Sequence, residues 1–170
     1  MLYIEGTKKL NMNNTYFIGD SHFFHRNIIE YGNRPFKDLD EMHSVLIKNW
    51  NNTVKKDSII YHMGDFALGN NEQIATVFNS LNGRKRLILG NHDHPKKNFL
   101  KTLFEEVYCK PILLDRYLLS HHPIMLDLGS LINVHSHVHQ NSLNTHHHAN
   151  VSCEHINYTP VAFKNLHTLL

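Results

Sequence analysis

The sequence has few cysteines and almost no excess of charge of either sign. Its two cysteines, Cys109 and Cys153, lie far apart and form no Cys-x-x-Cys pair. This spacing predicts neither a disulfide framework nor a thiolate metal site, and both residues are expected to be reduced thiols. The formal net charge of +2 gives no general argument for nucleic acids, membranes or acidic proteins as partners.

Long apolar runs are also lacking. No stretch approaches the ~20 apolar residues of a membrane span, and the N-terminal ten residues include an acidic one. No signal peptide is recognised, so a cytoplasmic location is expected by default. The chain of 170 residues has no internal repeat or low-complexity linker, and its length suits one domain. We therefore expect a single domain over residues 1–170.

Histidine, in contrast, is abundant, with 16 histidines in the chain. Imidazole is the commonest metal ligand in proteins and titrates near neutral pH. Surface histidines alone would also give a high count. Composition therefore does not decide between a metal site and a histidine-rich surface, and the spacing of the residues has to be considered.

The first half of the chain alternates short apolar runs with helical patterns. The apolar runs at residues 15–18, 58–61 and 86–89 predict three strands. A helix with Asp38 or Asp40 as its N-terminal cap is predicted between the first two. A second helix precedes Gly83, which is expected to cap its C-terminus. The apolar positions of these helices are Met42, Val45, Leu46 and Trp50, and Ile74, Val77, Phe78 and Leu81.

The second half is rich in strand patterns and poor in helical ones. Strands are predicted at residues 108–114, 117–120, 132–138 and 150–153, and Pro160 is expected to open a short final helix. A short helix with Phe99, Leu100 and Leu103 is predicted between the two halves. This order of elements predicts an α/β sandwich rather than an all-helical or all-β fold.

Polar clusters follow five of the predicted strands. In α/β sheets, ligands bind beyond the carboxyl ends of the strands, so five successive clusters of Asp, Asn and His indicate one site. Asp20 and His22 are two residues apart, as are His137 and His139, and in an extended segment such a pair faces one side and could hold one metal ion. The clusters are Asp20-Ser21-His22, Gly64-Asp65, Gly90-Asn91-His92-Asp93, His121-His122-Pro123 and His135-Ser136-His137-Val138-His139.

This ordered set resembles the signature of the calcineurin-like metallophosphoesterases. The resemblance covers residues 20–139, and the segment around His22, Asn27 and Arg34 is similar to the small bacterial and phage members of that superfamily. It implies two mixed β-sheets packed as a sandwich flanked by helices. It also implies a hydrolase with two divalent metal ions, which would be Mn, Fe, Zn, Ni or Co because the ligands are oxygen and nitrogen atoms.

The resemblance implies a role for each site residue. Asp20, His22 and His139 would hold one metal ion, and Asn91, His121 and His137 would hold the other. Asp65 would bridge both ions, and His92 would contact the substrate phosphate as the catalytic residue. A metal-activated hydroxide would be the nucleophile, and His92 would protonate the leaving oxygen or stabilise the transition state.

Some positions depart from the family pattern. The run after Gly64-Asp65 lacks the Asp and Arg of the protein Ser/Thr phosphatases, which argues against that branch. His25 or Arg34 could supply a substitute clamp for the substrate phosphate. Ser136 stands where Gly is usual, so the turn could require a backbone angle that Ser tolerates poorly.

Two local choices of ligand also stay open. His135 with His137 is an alternative register for the last pair of ligands. His121 is favoured over His122 because the family pattern is His-x-Pro, and here Pro123 follows two residues after His121.

Several functions fit this sequence. A hydrolase of phosphoesters is favoured, with a slight preference for phosphodiesters because 170 residues leave little material for a cap domain. A nuclease acting on nucleic-acid ends and a non-catalytic scaffold with the same fold are the alternatives. A metal-storage protein fits less well, because the histidines follow the order of the motifs. The expected partner is a phosphoester substrate, with nucleic acid only as a substrate and no membrane partner, and the oligomeric state is left open.

Overall fold

A computed structural model describes residues 7–8, 13–143 and 145–170 of the protein. Within these residues, ten strands form two sheets. In chain order the strands are β1 (Thr7–Lys8), β2 (Thr15–Ile18), β3 (Ile59–His62), β4 (Arg84–Ile88), β5 (Glu106–Tyr108), β6 (Ile112–Leu114), β7 (Tyr117–Leu119), β8 (Ile132–His135), β9 (His148–Asn150) and β10 (Val161–Ala162). The α-helices are α1 (Ile28–Tyr31), α2 (Leu39–Thr53), α3 (Asn71–Ser80) and α4 (Lys97–Leu103), and 3-10 helices span His94–Lys96 and Phe163–Leu169.

The first sheet has the strand order β10-β2-β3-β4-β5. Strands β2 to β5 are mutually parallel, and β10 joins the edge antiparallel to β2. A parallel strand needs a crossover connection, and α2, α3 and α4 supply the three crossovers. The carboxyl ends of β2, β3 and β4 therefore lie side by side.

The helices begin at caps that the sequence encodes. The Asp38 side chain accepts a hydrogen bond from the Glu41 amide at the start of α2, which selects Asp38 over Asp40 as the cap. Asn70 and Gln73 form a reciprocal capping box on α3. The predicted cap at Gly83 is wrong, because α3 ends at Ser80 and Gly83, with φ +89°, lies in the turn before β4.

The second sheet has the order β1-β6-β7-β8-β9. It is mixed, because β6 and β7 form an antiparallel pair and the other neighbours are parallel. Buried side chains from both sheets and from α2 and α3 form one hydrophobic core. The protein therefore has the expected α/β architecture of two mixed sheets packed as a sandwich with flanking helices.

The structure corrects several expected boundaries in the second half. Residues 108–114 are not one strand: β5 belongs to the first sheet and β6 to the second. Strand β8 ends at His135 rather than at residue 138, and β9 begins at His148. Pro160 precedes a two-residue strand, and the final helix begins only at Phe163. None of the helices in the described residues has the length and apolar character needed to cross a membrane.

Candidate metal centre

Five strand ends bring the predicted site residues to one edge of the sandwich. Three of these strands belong to the first sheet and two to the second, so the site spans both sheets. Asp20 and His22 follow β2, Asp65 follows β3, Asn91 and His92 follow β4, His121 follows β7, and His137 and His139 follow β8.

Backbone hydrogen bonds join the loop after β2 to the loop after β3. The Asp20 amide donates to the Gly64 carbonyl at 2.9 Å, and the His22 amide donates to the Asp65 carbonyl at 3.0 Å. Gly64 has φ +98°, and a Cβ atom there would lie 2.4 Å from Nδ1 of His121. Glycine is therefore required at residue 64 both by its backbone angle and by the close approach of His121.

Asp93 fastens the loop after β4 to the loop after β3. Its buried carboxylate accepts hydrogen bonds from the amides of Asp65 at 2.8 Å, Phe66 at 3.0 Å and Gly90 at 2.9 Å. Burial raises the pKa of Asp93 to about 6, although these hydrogen bonds act in the opposite direction. This role of Asp93 is not predictable from the motif, because the motif alone does not show which amides the carboxylate contacts.

Asp20, His22 and His139 form a first group that could hold a metal ion. One ligand atom from each residue lies within 4.8 Å of the others. Nε2 of His22 is 4.0 Å from Oδ1 of Asp20, and the rings of His22 and His139 stack with their centroids 5.4 Å apart. Both ring nitrogens of His22 and Oδ1 of Asp20 are buried, and none of them has a hydrogen-bond partner among the described residues.

His121 is the centre of a second group. Its Nδ1 lies 2.8 Å from the carbonyl oxygen of Met63, which only accepts, so Nδ1 carries the proton and Nε2 presents a lone pair. Nε2 is 3.0 Å from Oδ1 of Asn91 and 3.2 Å from Nδ1 of His137. Oxygen and nitrogen atoms from three side chains therefore converge on one point, which is an arrangement that a cation could occupy.

The Asp65 carboxylate lies between the two groups. Its Oδ2 is 3.7 Å from Nε2 of His22 and 3.5 Å from Nε2 of His121. Its Oδ1 accepts a hydrogen bond from the amide of His92 at 2.8 Å, which fixes the orientation of the carboxylate. The Asp65 carboxylate therefore lies where it could be a ligand in both groups.

Burial makes charge of either sign unfavourable in this cluster. It raises the pKa of Asp20 to about 7 and also raises that of Asp65. It lowers the pKa of His121 to about 3 and shifts that of His22 strongly downward. Bound cations reverse such shifts for carboxylates and use neutral imidazoles as ligands. The buried, unpartnered oxygen and nitrogen atoms thus fit divalent metal ions.

His92 and His25 lie on the open side of the first group. The ring centroid of His22 is 5.4 Å from that of His92 and 5.5 Å from that of His25. Arg34 is not brought to this side. Its guanidinium is buried and donates to the backbone carbonyls of Asp20 at 2.6 Å and Ser21 at 3.1 Å.

The last histidine cluster differs from the expected strand geometry. His137 and His139 do not point into one group, because β8 ends at His135 and both have positive φ angles, of 70° and 52°. His137 joins the second group and His139 the first. The alternative register does not occur, since Nδ1 of His135 contacts the Ser136 carbonyl and the ring lines a separate cavity.

Ser136 and His122 also differ from expectation. Ser136 does not have a positive φ angle, so the expected backbone strain is absent there, and its hydroxyl donates to the Met63 carbonyl at 2.7 Å. The exposed His122 lies beside the second group, with its ring centroid 3.9 Å from that of His137. A ligand atom of His122 lies within 4.8 Å of ligand atoms of His121 and His137, so His122 is a further candidate for that group.

Comparisons with known proteins agree with this architecture. The chain is 36% identical over 167 residues to an uncharacterized protein of Methanocaldococcus jannaschii, and the alignment covers 90% of this chain and 89% of that protein. It is 39% identical over 87 residues to the gene 66 protein of Mycobacterium phage L5, covering 49% of this chain and 42% of that protein. A crystal structure of a protein of unknown function from Aquifex aeolicus matches with a TM-score of 0.74 and 29% identity, covering 92% of this chain and 99% of that one.

The calcineurin-like phosphoesterase profile matches residues 14–168, which include both sheets from β2 onward and every residue of the two groups. That family implies metal-dependent hydrolysis of phosphoesters. From the profile match, together with the sandwich fold and the Asp and His groups at its edge, we conclude that the chain belongs to the calcineurin-like phosphoesterase family.

Proposed function

We propose that this protein hydrolyses phosphodiesters, in preference to phosphomonoesters, with two divalent metal ions bound at the candidate centre. The observation that supports this most strongly is the position of Asp65 between two groups of candidate ligand atoms. Its Oδ2 lies within 3.7 Å of Nε2 of both His22 and His121. A shared carboxylate of this kind suits a two-metal site.

In this proposal, each ion is held by residues from both sheets. Asp20, His22 and His139 hold the first ion, and Asn91, His121 and His137 hold the second, with Asp65 as the bridge. When bound, the ions would supply Lewis-acid activation of the phosphoester and of water. The ligand set contains no thiolate, so Mn, Fe, Zn, Ni or Co suits it.

The side chain of His92 is the proposed catalytic residue. It is exposed, while its backbone amide is tied to the Asp65 carboxylate, so its ring stands at the rim of the centre. From there His92 would orient the substrate phosphate and pass a proton to the leaving oxygen. His25, on the same side, is a second candidate for contact with the phosphate.

The preference for diesters rests on the openness of the centre. The residues at the rim of the centre are exposed, namely Asn91, His92 and His122. The second ester group of a diester would therefore extend into solvent without a steric clash. A phosphomonoester carries an additional negative charge, which would favour a cationic side chain beside the phosphate. Arg34, the arginine expected near the phosphate, is buried behind the centre.

The test is hydrolysis of bis-p-nitrophenyl phosphate and p-nitrophenyl phosphate by metal-stripped protein, with Mn²⁺, Ni²⁺, Zn²⁺, Fe²⁺ or Mg²⁺ restored in turn. We expect restored turnover, faster on the diester. Asp65→Asn should lose both metal binding and turnover, because one oxygen of the carboxylate becomes an amide nitrogen, which is not a metal ligand. The matched variant Asp57→Asn changes a carboxylate that bonds Asn14 instead, and it should behave as wild type. Bound metal without turnover would contradict the proposed hydrolysis.

His92→Ala separates catalysis from metal binding. The variant should bind metal as wild type does and lose about 10²–10⁴-fold in turnover, the range for loss of a general acid. His167→Ala, at an exposed histidine of the final 3-10 helix, is the control and should keep the wild-type rate. An undiminished rate in His92→Ala would remove His92 from the mechanism.

A further inference from the structure

Arg34 and Glu154 form a buried ion pair that contacts His139 of the first group. These residues are far apart in the chain, and the Arg34 and Glu154 side chains are 0% and 4% exposed. The ion pair exists because the segment before Glu154 pairs with the end of β2: the Gly19 amide donates to Val151 and the Cys153 amide donates to Gly19. That pairing brings Glu154 to the back of the loop that carries Asp20.

Glu154 fixes the ring of His139. Its Oε1 lies 3.0 Å from Nδ1 of His139, so a neutral ring donates from Nδ1 and keeps a lone pair on Nε2. The opposite tautomer would place the Nδ1 lone pair against a carboxylate. Glu154 therefore selects the tautomer that leaves Nε2 of His139 free as a ligand atom for the first group.

Arg34 in turn fixes Glu154 and the backbone of Asp20. Its Nε and Nη2 both lie 2.8 Å from Oε1 of Glu154, while Nη2 and Nη1 donate to the carbonyls of Asp20 and Ser21. Asp20 has a φ angle of 53°, which is unfavourable for a residue other than glycine. The Arg34 guanidinium thus contacts both the strained backbone of Asp20 and Glu154, which is the hydrogen-bond partner of His139.

We propose that Arg34 and Glu154 are positioning residues for the first metal ion, acting on His139 through its tautomer and on Asp20 through its backbone. This inference rests on the proposed metal centre and adds the residues that support its first ligand group. Carboxylates that accept a hydrogen bond from a metal-binding histidine typically contribute 10–100-fold to metal affinity. The simpler alternative is that the pair only joins two loops and has no effect on metal binding.

The first measurement concerns the tautomer and needs no metal. Nitrogen-15 NMR of the metal-free chain at alkaline pH, with the signal assigned through His139→Ala, should show His139 protonated on Nδ1. In Arg34→Met/Glu154→Leu, which removes both buried charges together, the ring should become a mixture of tautomers. The control Arg84→Met/Glu105→Leu removes another Arg–Glu pair, at the opposite end of β4, and should leave the signal unchanged. An Nε2-protonated ring in the wild type would overturn the proposal.

The second measurement is Mn²⁺ titration of the stripped protein by calorimetry. We expect Glu154→Gln to weaken one of two sites about tenfold, and Arg34→Met/Glu154→Leu to weaken it up to about 100-fold, with the control at wild-type affinity. In a His139→Ala background, Glu154→Gln should cause no further loss, because its effect passes through that ring. Equal affinity in wild type and Arg34→Met/Glu154→Leu would overturn the positioning role alone. A wild type that binds no metal would overturn the metal centre as well, whatever the tautomer of His139.

Discussion

Backbone strain is concentrated in the residues of the candidate centre. Asp20, His22, Asp65, His137 and His139 all have positive φ angles between 48° and 70°. Each such residue costs about 1–3 kcal/mol and persists only where surrounding contacts impose it. The contacts are visible here, since the Asp20 carboxylate accepts from the His137 amide at 2.7 Å. The strained backbone orients these five side chains toward the two groups, and functional sites commonly use strain in this way.

The buried side chain of His62 should contribute to the pH dependence of the stability of the metal-free protein. His62 is fully buried and 2.8 Å from the Ser21 hydroxyl, which itself donates to the Phe66 carbonyl. Nε2 therefore carries the proton, and Nδ1 has no partner among the described residues. Burial lowers the pKa of His62 to about 3 from an ordinary value of 6.5, so protonating it in the folded state is unfavourable.

Between these two pKa values the unfolded chain binds the proton and the folded chain does not. The contribution of His62 to stability is therefore complete above pH 6.5 and is lost as the pH falls, by about 1.4 kcal/mol per pH unit. His62→Phe should reduce the slope of unfolding free energy against pH by about that amount, measured by urea denaturation in chelator. His167→Ala, at an exposed ring, should leave the slope unchanged. Equal slopes in wild type and His62→Phe would contradict this account.

At the scale of elements, Asp93 joins the ends of β3 and β4. Asp93→Asn replaces one accepting oxygen with an amide group that faces backbone donors. We expect a loss of about 2–4 kcal/mol in unfolding free energy, because charge-assisted bonds and buried unpaired groups are each worth about 1–3 kcal/mol. Mn²⁺ affinity should also fall, since Asp65 and Asn91 lie in the loops that Asp93 holds. Denaturant unfolding and calorimetry measure the two effects.

The matched control for Asp93→Asn is a carboxylate that caps a helix away from the centre. Asp38→Ala removes the N-terminal cap of α2 and should cost about 1 kcal/mol without changing metal affinity. If Asp93→Asn is no less stable than wild type, Asp93 does not hold the loops. If both variants lose metal affinity equally, the loss of affinity reflects lower stability of the whole fold rather than movement of the loops that Asp93 holds.

The elements that the sequence predicted well are those with local signals. Strand β2 has the predicted bounds, α2 begins after the predicted cap Asp38, and both α2 and α3 follow their apolar periodicity. Residues 108–114 are predicted as one strand, and tertiary pairing assigns β5 to one sheet and β6 to the other. The tautomer-setting contact of Glu154 with His139 spans 15 positions, and the contact that buries Arg34 against Glu154 spans 120. No local pattern predicts either contact.

At the scale of the whole molecule, the candidate centre joins the two sheets. Asp20 and His22 come from the first sheet and His139 from the second, while the second group takes Asn91 from the first and His121 and His137 from the second. A ligand that binds only the folded state stabilises it, by about 2.7 kcal/mol at a hundredfold excess over its dissociation constant. Metal ions should therefore stabilise the entire fold rather than one loop.

Thermal unfolding measures this coupling. Saturating Mn²⁺ should raise the midpoint of wild type and of Asp57→Asn by several degrees, and EDTA should reverse the increase. In Asp65→Asn the increase should be much smaller, because the shared carboxylate is lost. An equal increase in Asp65→Asn would place the stabilising ions elsewhere, for example at the histidine-lined cavity beside His135 and His148.

The most direct measurement of the central claim is anomalous diffraction from crystals grown with Mn²⁺. We expect two peaks at the sheet edge, one among Asp20, His22 and His139 and one among Asn91, His121 and His137, with the Asp65 carboxylate between them. Both peaks should weaken together in Asp65→Asn. A single peak, or peaks only at the cavity beside His135, would contradict a two-metal centre.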